Sequence, residues 1–250
     1  MNVYQKNDIG ALLKQNAYAG RGIIVGTTPG RGIIAGMSAD GTKAVAAYFI
    51  MGRSANSRNR IFVEKNGAVF TRPFDEKKVE DPALIIYAAI RKADKKLIVT
   101  NGDQTDTVVD ALKAGKTFAD ALKGQTFEPD TPNFTPRISA MLDFDGGFKY
   151  SMSILKSADE KGGACCRFLY EYPSVPGLGH FLHTYVCDGN PLPSFSGEPE
   201  RISTMDDIDD FARLLWTSLD KDNKISLYVR YTRLSDGKEE NRLFNKNIQE

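Results

Sequence analysis

Residues 45–60 read Val-Ala-Ala-Tyr-Phe-Ile-Met-Gly-Arg-Ser-Ala-Asn-Ser-Arg-Asn-Arg. The apolar part, 45–51, predicts a buried strand, and the polar part predicts a loop directly after it. The loop carries three arginines, and no acidic residue occurs in the range 42–63. A guanidinium group stays charged and donates two parallel hydrogen bonds, which suits a phosphate or a carboxylate. The loop therefore predicts an anion site, with a solvated charged turn as the alternative.

The composition is typical of a soluble globular enzyme, with 250 residues, 41% of them hydrophobic and 26% charged. The 33 basic side chains are balanced by 32 acidic ones, so the net charge is +1. A general nucleic-acid-binding protein would usually carry a basic excess. The ligand predicted for the arginine loop is therefore a small anion and not a nucleic acid.

The sequence gives no sign of export or of a membrane partner. Its first residues are polar, and no apolar run approaches the length of a membrane span. Three cysteines, two of them adjacent at positions 165 and 166, do not make a disulfide framework. We therefore expect a cytoplasmic protein.

Most of the predicted elements are strands joined by tight turns. The segment 20–26, Gly-Arg-Gly-Ile-Ile-Val-Gly, is echoed at 30–36, which predicts two short strands and a turn. Asn66-Gly67 and Asp145-Gly146-Gly147 predict hairpins, because such turns favour residues that tolerate positive φ. Further strands are predicted at 44–51, 60–64, 68–72, 96–100, 137–142, 148–155, 164–172, 181–187 and, as the closing strand, 225–232.

Four helices are predicted between these strands. Their ranges are 82–91, opened by Asp81 and Pro82; 105–114; 117–122; and a segment that follows Ser203-Thr204 and Asp206-Asp207 and ends near Trp216. Hairpins outnumber βαβ units. The pattern therefore predicts an α+β fold with one or two mostly antiparallel sheets covered by helices.

The turn at 100–106, Thr-Asn-Gly-Asp-Gln-Thr-Asp, is a second candidate anion site. Asn101-Gly102 would turn the backbone after a strand, and Thr105 or Asp106 would cap the following helix. Free N–H groups at a helix start can hold an anion. An ordinary capped turn is the alternative.

Glu128 is a candidate general acid or base. It lies between Phe127 and Pro129, so partial desolvation would raise the pKa of its carboxyl group towards neutrality. The alternative is an exposed loop glutamate.

No cofactor or metal is expected. His180 and His183 lie on a predicted strand and would face opposite sides of the sheet, which does not suit joint metal ligation. The glycine-rich segments match neither a P-loop nor a dinucleotide-binding turn.

Four segments together resemble the archaeal-type inosine monophosphate (IMP) cyclohydrolase family. They are Gly20-Arg21, the segment from Arg53-Ser54 to Asn59-Arg60, the segment from Asn101-Gly102 to Thr105-Asp106-Thr107, and Thr135-Pro136-Arg137-Ile138. The segment Cys187-Asp188-Gly189-Asn190-Pro191-Leu192-Pro193 resembles bacterial relatives of that family. The resemblance implies a four-layer α-β-β-α sandwich of the N-terminal-nucleophile hydrolase type. It also implies a single domain, 1–250, with residues 1–18 as an extension.

The implied reaction converts 5-formamidoimidazole-4-carboxamide ribotide to IMP and water, with no metal or redox cofactor. By the resemblance, Arg60 and Asn101 would donate to the carboxamide or the developing oxyanion, and Glu128 would be the acid-base residue. Tyr87 would assist proton transfer.

The resemblance also implies how the ribotide is held. Its phosphate would contact Arg21 or Arg31, because the repeated Gly-Arg-Gly-Ile-Ile segment leaves that choice open. Arg53 and Arg137 are the other phosphate candidates. The remaining predicted substrate-binding residues are Ser54, Asn59, Gly102, Thr105 and Asp106. A homo-oligomer is expected.

Two other functions are compatible with this pattern. One is a purine-ribotide-binding protein of the same fold without catalysis. The other is an amidohydrolase, but that activity needs a nucleophile at the start of a strand, and none stands beside Gly20-Arg21.

Overall fold

The apolar run at 45–51 forms most of a strand, Lys43–Met51, as predicted. Its even-numbered side chains, Ala44 to Ile50, face one core, and its odd-numbered side chains, Val45 to Phe49, face another. A strand that is buried on both faces needs no polar face, which explains why the run does not alternate.

The computed structural model describes residues 4–15, 30–79, 82–187 and 189–248. The strands in these ranges are β1 Arg31–Met37, β2 Lys43–Met51, β3 Arg60–Lys65, β4 Ala68–Pro73, β5 Ala88–Ala93, β6 Lys96–Thr100, β7 Arg137–Asp143, β8 Lys149–Ser157, β9 Cys165–Pro173, β10 Leu178–His183, β11 Glu200–Ser203, β12 Lys224–Arg233 and β13 Glu239–Asn245. The α-helices are α1 Ile9–Gln15, α2 Ala55–Arg58, α3 Pro82–Ile85, α4 Gln104–Lys113, α5 Phe118–Lys123 and α6 Ile208–Ser218.

The strands form two sheets in which every pair of neighbouring strands is antiparallel. The six-stranded sheet has the order β11-β10-β1-β2-β12-β13, and the seven-stranded sheet runs from β3 to β9 in chain order. The predicted α+β class with mostly antiparallel sheets is confirmed.

Three apolar cores hold the elements together. The largest lies between the sheets, where Tyr48 of β2 and Phe62 of β3 stack with 5.4 Å between their ring centroids. The second joins the six-stranded sheet to α1 and α6, and Phe211 of α6 is its fully buried centre. The third joins the seven-stranded sheet to α4 and α5. Helices therefore cover the outer face of each sheet.

The arginine loop carries the chain from one sheet to the other. Strand β2 belongs to the six-stranded sheet and β3 to the seven-stranded sheet, and only the loop with the short helix α2 separates them. The loop therefore lies at the end of the sandwich where both sheets can contribute side chains to one site.

Both predicted hairpins are confirmed. Asn66 and Gly67 have φ of 53° and 73° between β3 and β4, and Gly146 and Gly147 have φ of 69° and 110° between β7 and β8. The predicted helices at 105–114 and 117–122 correspond to α4 and α5, and Thr117 caps α5 through its side chain.

The helix predicted at 82–91 is wrong beyond its first turn. Helix α3 ends at Ile85, and Ala88–Ala93 is strand β5. Ile90 pairs with Val69 of β4 and with Val99 of β6, so the apolar run fills the middle of a sheet. A short apolar run has no periodicity that separates a buried strand from a buried helix. The predicted cap Asp81 lies outside the described residues.

Three other boundaries differ from the predictions. The strand predicted at 181–187 is β10, which ends at His183, and β12 is followed by β13 instead of closing the chain. Asp103, and neither Thr105 nor Asp106, is at the N-cap position of α4. By contrast, the cap predicted for the last helix is confirmed at Asp207, because its carboxylate accepts from the N–H groups of Asp209 and Asp210 at the start of α6. The first copy of the repeat, 20–26, lies outside the described residues.

No helix in the described ranges is long and apolar enough to cross a membrane.

Candidate active site

A pocket of about 260 Å³ opens beside the arginine loop. Its walls come from the start of β1, the end of β2, the arginine loop and two longer loops, one before β7 and one after β10. The lining residues are Gly30, Arg31, Met51, Arg53, Ser54, Asn56, Ser57, Arg60, Ile85, Glu128, Asp130, Asn133, Thr135, Thr184, Tyr185 and Leu192. Both sheets and two long loops therefore contribute to one cavity.

A buried ion pair forms the floor of this pocket. Arg31 Nη1 donates to Glu128 Oε1 over 2.6 Å, and the two residues are 8% and 4% exposed. Burial raises the pKa of Glu128, while the charge of Arg31 and its hydrogen bond oppose that rise. Burial lowers the pKa of Arg31, but Glu128 together with Tyr87, Tyr48 and Tyr185 outweighs this effect, so the pKa of Arg31 is raised. Arg31 therefore stays charged, and Glu128 has the raised pKa that an acid-base residue needs.

Arg60 adds a second buried guanidinium group. Its Nε donates to the carbonyl oxygen of Ser57 over 2.8 Å, and its terminal amino groups have no hydrogen-bond partner in the described ranges. Burial lowers the pKa of Arg60, and the nearby charge of Arg31 lowers it further. Two guanidinium groups therefore share one carboxylate, and the pocket has an excess of buried positive charge.

Two tyrosines lie behind these arginines. Tyr48 Oη and Tyr87 Oη are 2.8 Å apart, and both side chains are buried. Burial and the neighbouring Tyr87 raise the pKa of Tyr48, so that its hydroxyl stays protonated. Tyr87 is therefore close to the site, although it lies in the loop after α3 and not on the predicted helix. Tyr48 was not predicted as a site residue, because it lies inside an apolar run.

A chain of hydroxyl groups forms another wall of the pocket. Asp130 accepts hydrogen bonds from the N–H and the hydroxyl of Thr135, and the Thr135 hydroxyl lies 2.5 Å from Tyr185 Oη. Because Thr135 donates to Asp130, Tyr185 donates to Thr135. Burial raises the pKa of Tyr185, which keeps that proton in place. Neither Asp130 nor Tyr185 could be predicted from the sequence, because each is an ordinary residue in its own segment.

The arginine loop forms the outer wall. Ser54 caps α2 through its hydroxyl, and Ser54, Asn56 and Ser57 line the pocket together with Arg53. The Asn56 side-chain oxygen is buried and has no hydrogen-bond partner in the described ranges. Arg58 does not line the pocket. It donates to Gly52 O and Asn223 Oδ1, which ties the loop to the segment before β12.

The Asn101 turn lies outside the pocket wall. Asn101 is fully buried, its amide donates to Pro136 O, and its carbonyl oxygen accepts from the N–H of Ile138. Gly102 lies behind Glu128: a Cβ built at this glycine would be 3.8 Å from Glu128 Oε1. Thr105 bonds to Thr100, and Asp106 pairs with Arg91 at 2.5 Å.

The remaining predicted binding residues also have protein partners. Arg137 pairs with Asp103 and donates to Gln125 over 3.2 Å, and it does not line the pocket. Asn59 is bonded on both sides of its amide to the backbone of Asp75. Arg21 lies outside the described residues. The structure therefore brings together Arg31, Arg53, Ser54, Arg60 and Glu128 at the pocket, with Tyr87 behind them.

The fold and this pocket define an α+β protein that can hold an anionic small molecule against two buried guanidinium groups and one carboxylate with a raised pKa. Residues 28–238 match the family described as IMP cyclohydrolase-like protein, and the chain belongs to that family.

Three curated relatives of this chain are each named IMP cyclohydrolase. The chain is similar to the IMP cyclohydrolase of Methanopyrus kandleri, with 39% identity over 66% of this chain and 88% of the relative. It is also similar to the IMP cyclohydrolase of Methanococcus aeolicus, with 28% identity over 63% of this chain and 74% of the relative. The IMP cyclohydrolase of Methanocaldococcus jannaschii shares 34% identity over 46% and 56% of the two chains.

Proposed function

We propose that this protein is an IMP cyclohydrolase that converts 5-formamidoimidazole-4-carboxamide ribotide to IMP and water in purine biosynthesis. The family and its curated members support this activity. The observation that supports this activity at the pocket is that Arg31, Arg60 and Glu128 line the same cavity, with Arg31 and Glu128 paired.

Ring closure has two steps, and each needs a group that this pocket contains. In the first step the carboxamide nitrogen attacks the formyl carbon, and one of its protons moves to the formyl oxygen. In the second step that oxygen leaves as water with the hydrogen of the formamido nitrogen, and a carbon–nitrogen double bond forms. The first step develops negative charge on oxygen, and both steps move a proton.

Arg60 stabilises the developing oxyanion. Arg60 is a buried residue that lines the pocket, and its terminal amino groups have no hydrogen-bond partner in the described ranges. Fixed donors in a site with little water stabilise such charge more strongly than donors in bulk solvent. Arg31, which Glu128 holds in place, adds a second positive charge to the pocket wall beside Arg60.

Glu128 moves the protons. Its carboxyl group is buried at the pocket wall, and burial raises its pKa from the ordinary range. A carboxylate with a raised pKa is a better base, and its protonated form can then donate to the departing hydroxyl group. Tyr48 and Tyr87 support the site from behind as a pair of hydroxyl groups 2.8 Å apart.

The ribotide phosphate binds at the outer wall. Arg53, Ser54 and Ser57 line that part of the pocket, and their charge and hydroxyl groups suit phosphate oxygens. The substrate then spans the cavity from the arginine loop to Glu128. Arg137 and Asn101 have a different role in this arrangement, because their side chains bond to protein groups outside the wall.

The finer architecture follows from the same family membership. We assign the two facing sheets and their outer helices to the four-layer sandwich of the N-terminal-nucleophile hydrolase type. Helices on both outer faces and a core between the sheets support this assignment.

The test is an absorbance assay of ring closure by the purified protein. We expect turnover of the formamido ribotide. We expect kcat to fall about 100- to 1,000-fold in Arg60→Ala, as for loss of an oxyanion donor, and about 100-fold or more in Glu128→Gln. Arg58→Ala is the matched control, because this arginine belongs to the same loop but bonds only to protein groups. Wild-type activity in the Arg60 and Glu128 variants would exclude this site.

A further inference from the structure

The two sheets have four edge strands, and three of them are protected. Strand β11 has four residues, and the backbone of Asn7 bonds to Arg201 and Ser203 beside it. The Asn245 side chain exchanges two hydrogen bonds with the backbone of Phe62 on β3. Strand β13 carries charged side chains at Glu239, Glu240 and Arg242. Such features prevent an edge from pairing with another chain.

Strand β9 is less protected, because its only charged side chains are Arg167 and Glu171. It is nine residues long, contains no lysine, and keeps an uninterrupted register with β8. Its proline, Pro173, is the last residue of the strand. No strand in the described ranges pairs with its other side. A long and regular free edge of this kind can pair with another strand.

The side chains of β9 are also exposed and apolar at its centre. Phe168 is 41% exposed and Leu169 is 43% exposed, and they point to opposite faces of the sheet. Both are among the large apolar side chains that the chain leaves at its surface. Pairing along this edge would remove apolar surface on both faces at once.

The sequence of β9 is complementary to itself. An antiparallel pairing of two copies with its two-fold axis at Leu169 sets Arg167 opposite Glu171 of the second copy. It also sets Phe168 opposite Tyr170, and Leu169 opposite its own copy. Opposite charges and aromatic residues in directly opposed positions each stabilise such a pair, whereas like charges destabilise it.

The charged groups are available for this pairing. The Glu171 carboxylate is exposed and has no hydrogen-bond partner in the described ranges. Arg167 donates its terminal amino groups to two backbone oxygens, those of Cys165 and Gln125, and it forms no ion pair within the described ranges.

We propose that two copies of this protein pair through β9, with a two-fold axis at Leu169, so that their seven-stranded sheets join into one continuous sheet. The occupant of the edge is a second copy of this chain. The self-complementary pattern of Arg167, Phe168, Tyr170 and Glu171 favours this partner over an unrelated peptide strand, and an isologous contact of this kind closes at two copies.

The first test measures the molar mass in solution by sedimentation and light scattering. We expect an oligomer with an even number of chains. Arg167→Glu and Glu171→Arg should each weaken this association at least tenfold, because each places like charges opposite one another. The double variant with both substitutions should restore it. Arg213→Glu and Asp210→Arg reverse an exposed ion pair on α6 and should leave the mass unchanged.

The second test does not depend on the charge variants folding well. Leu169→Cys should form a disulfide that joins position 169 of two chains on mild oxidation, identified by mass spectrometry of the linked peptide. Val63→Cys, at a similarly exposed position on edge strand β3, should not form one. A monomer at all concentrations, an oligomer that is insensitive to the charge reversals and their recombination, or an oligomer without the 169–169 link would overturn the proposal.

Discussion

The two buried arginines of the pocket decide what it can bind. Arg31 pairs directly with Glu128, whereas Arg60 donates its one hydrogen bond in the described ranges to the carbonyl oxygen of Ser57 and has Glu128 and two tyrosines nearby. Burying an incompletely paired charge costs several kcal/mol. A ligand that brings negative charge to Arg60 removes part of that cost. The electrostatics of the pocket therefore favour the binding of an anion.

His180 provides a test of pH dependence away from the pocket. Its ring stacks on Tyr172 with 3.6 Å between centroids, its Nδ1 lies 2.7 Å from Tyr150 Oη, and Arg201 is the nearby charge. Burial, with a smaller effect of Arg201, lowers the pKa of His180 to about 4 from 6.5. The unfolded chain therefore takes up a proton between pH 6.5 and about 4 that the folded protein resists.

We expect the unfolding free energy to fall as the pH is lowered through this window. The contribution of His180 is about 3 kcal/mol, present above pH 6.5 and lost towards pH 4. His180→Gln should flatten this part of the profile, measured by urea unfolding at several pH values. Between pH 7 and 9 the two proteins should have parallel profiles, because the histidine is neutral in both states. A variant with the wild-type acid slope would contradict the assignment.

At the residue scale, the sequence identified charged groups better than it identified their partners. Arg60 and Glu128 could be predicted because each stands out chemically from the residues around it. The choice between Arg21 and Arg31 could not be made, because the two segments are nearly identical. Tyr48 and Tyr185 were missed, because a tyrosine within a predicted buried strand has the same sequence pattern whether it packs in a core or borders a pocket.

At the element scale, β5 shows where local sequence stops being informative. Residues 82–91 are apolar almost throughout, and the same residues suit a buried helix or a central strand. In the folded protein, residues 88–93 pair with β4 on one side and with β6 on the other, and this pairing makes them a strand. The hairpins were predictable for the opposite reason, since Asn66-Gly67 and Gly146-Gly147 specify their turns locally.

The Asn101 turn gives a prediction that separates a structural role from a catalytic one. The Asn101 side chain bonds to the backbone on both sides of Arg137, at Pro136 O and Ile138 N, and so holds the start of β7 beside the loop that carries Glu128. Asn101→Ala leaves two buried backbone groups unpaired, so the unfolding free energy should fall by about 2–4 kcal/mol. Urea unfolding measures this loss.

The alternative role predicts a different result. If Asn101 donated to the developing oxyanion, Asn101→Ala would lower kcat with little change in stability. We expect the loss of stability, with any fall in kcat following from misplacement of Glu128. Asp106→Ala is the control on the same turn, because its ion pair with Arg91 is exposed and should contribute less than about 1 kcal/mol.

At the scale of the whole molecule, the strand order of the six-stranded sheet could not be predicted from the sequence. Its order, β11-β10-β1-β2-β12-β13, places strands from both ends of the chain side by side. No local signal records such pairings, because they depend on which faces remain unburied after the hairpins form. The seven-stranded sheet, which follows chain order, is the part that hairpin signals could anticipate.

Arg230 joins the two sheets and gives a last prediction. Its guanidinium group is 1% exposed on β12, donates to Gly67 O in the β3–β4 turn over 3.0 Å, and lies 3.5 Å and 3.6 Å from the carboxylates of Glu64 and Glu239. Arg230→Ala should lower the unfolding free energy by about 2–4 kcal/mol in urea, because it removes a fully buried side chain together with its hydrogen bonds to Gly67 O and Tyr228 Oη. Lys92→Ala is the matched control, since Lys92 pairs with the same Glu239 at the surface and should cost less than about 1 kcal/mol. Equal losses in the two variants would mean that Arg230 does not hold the sheets together.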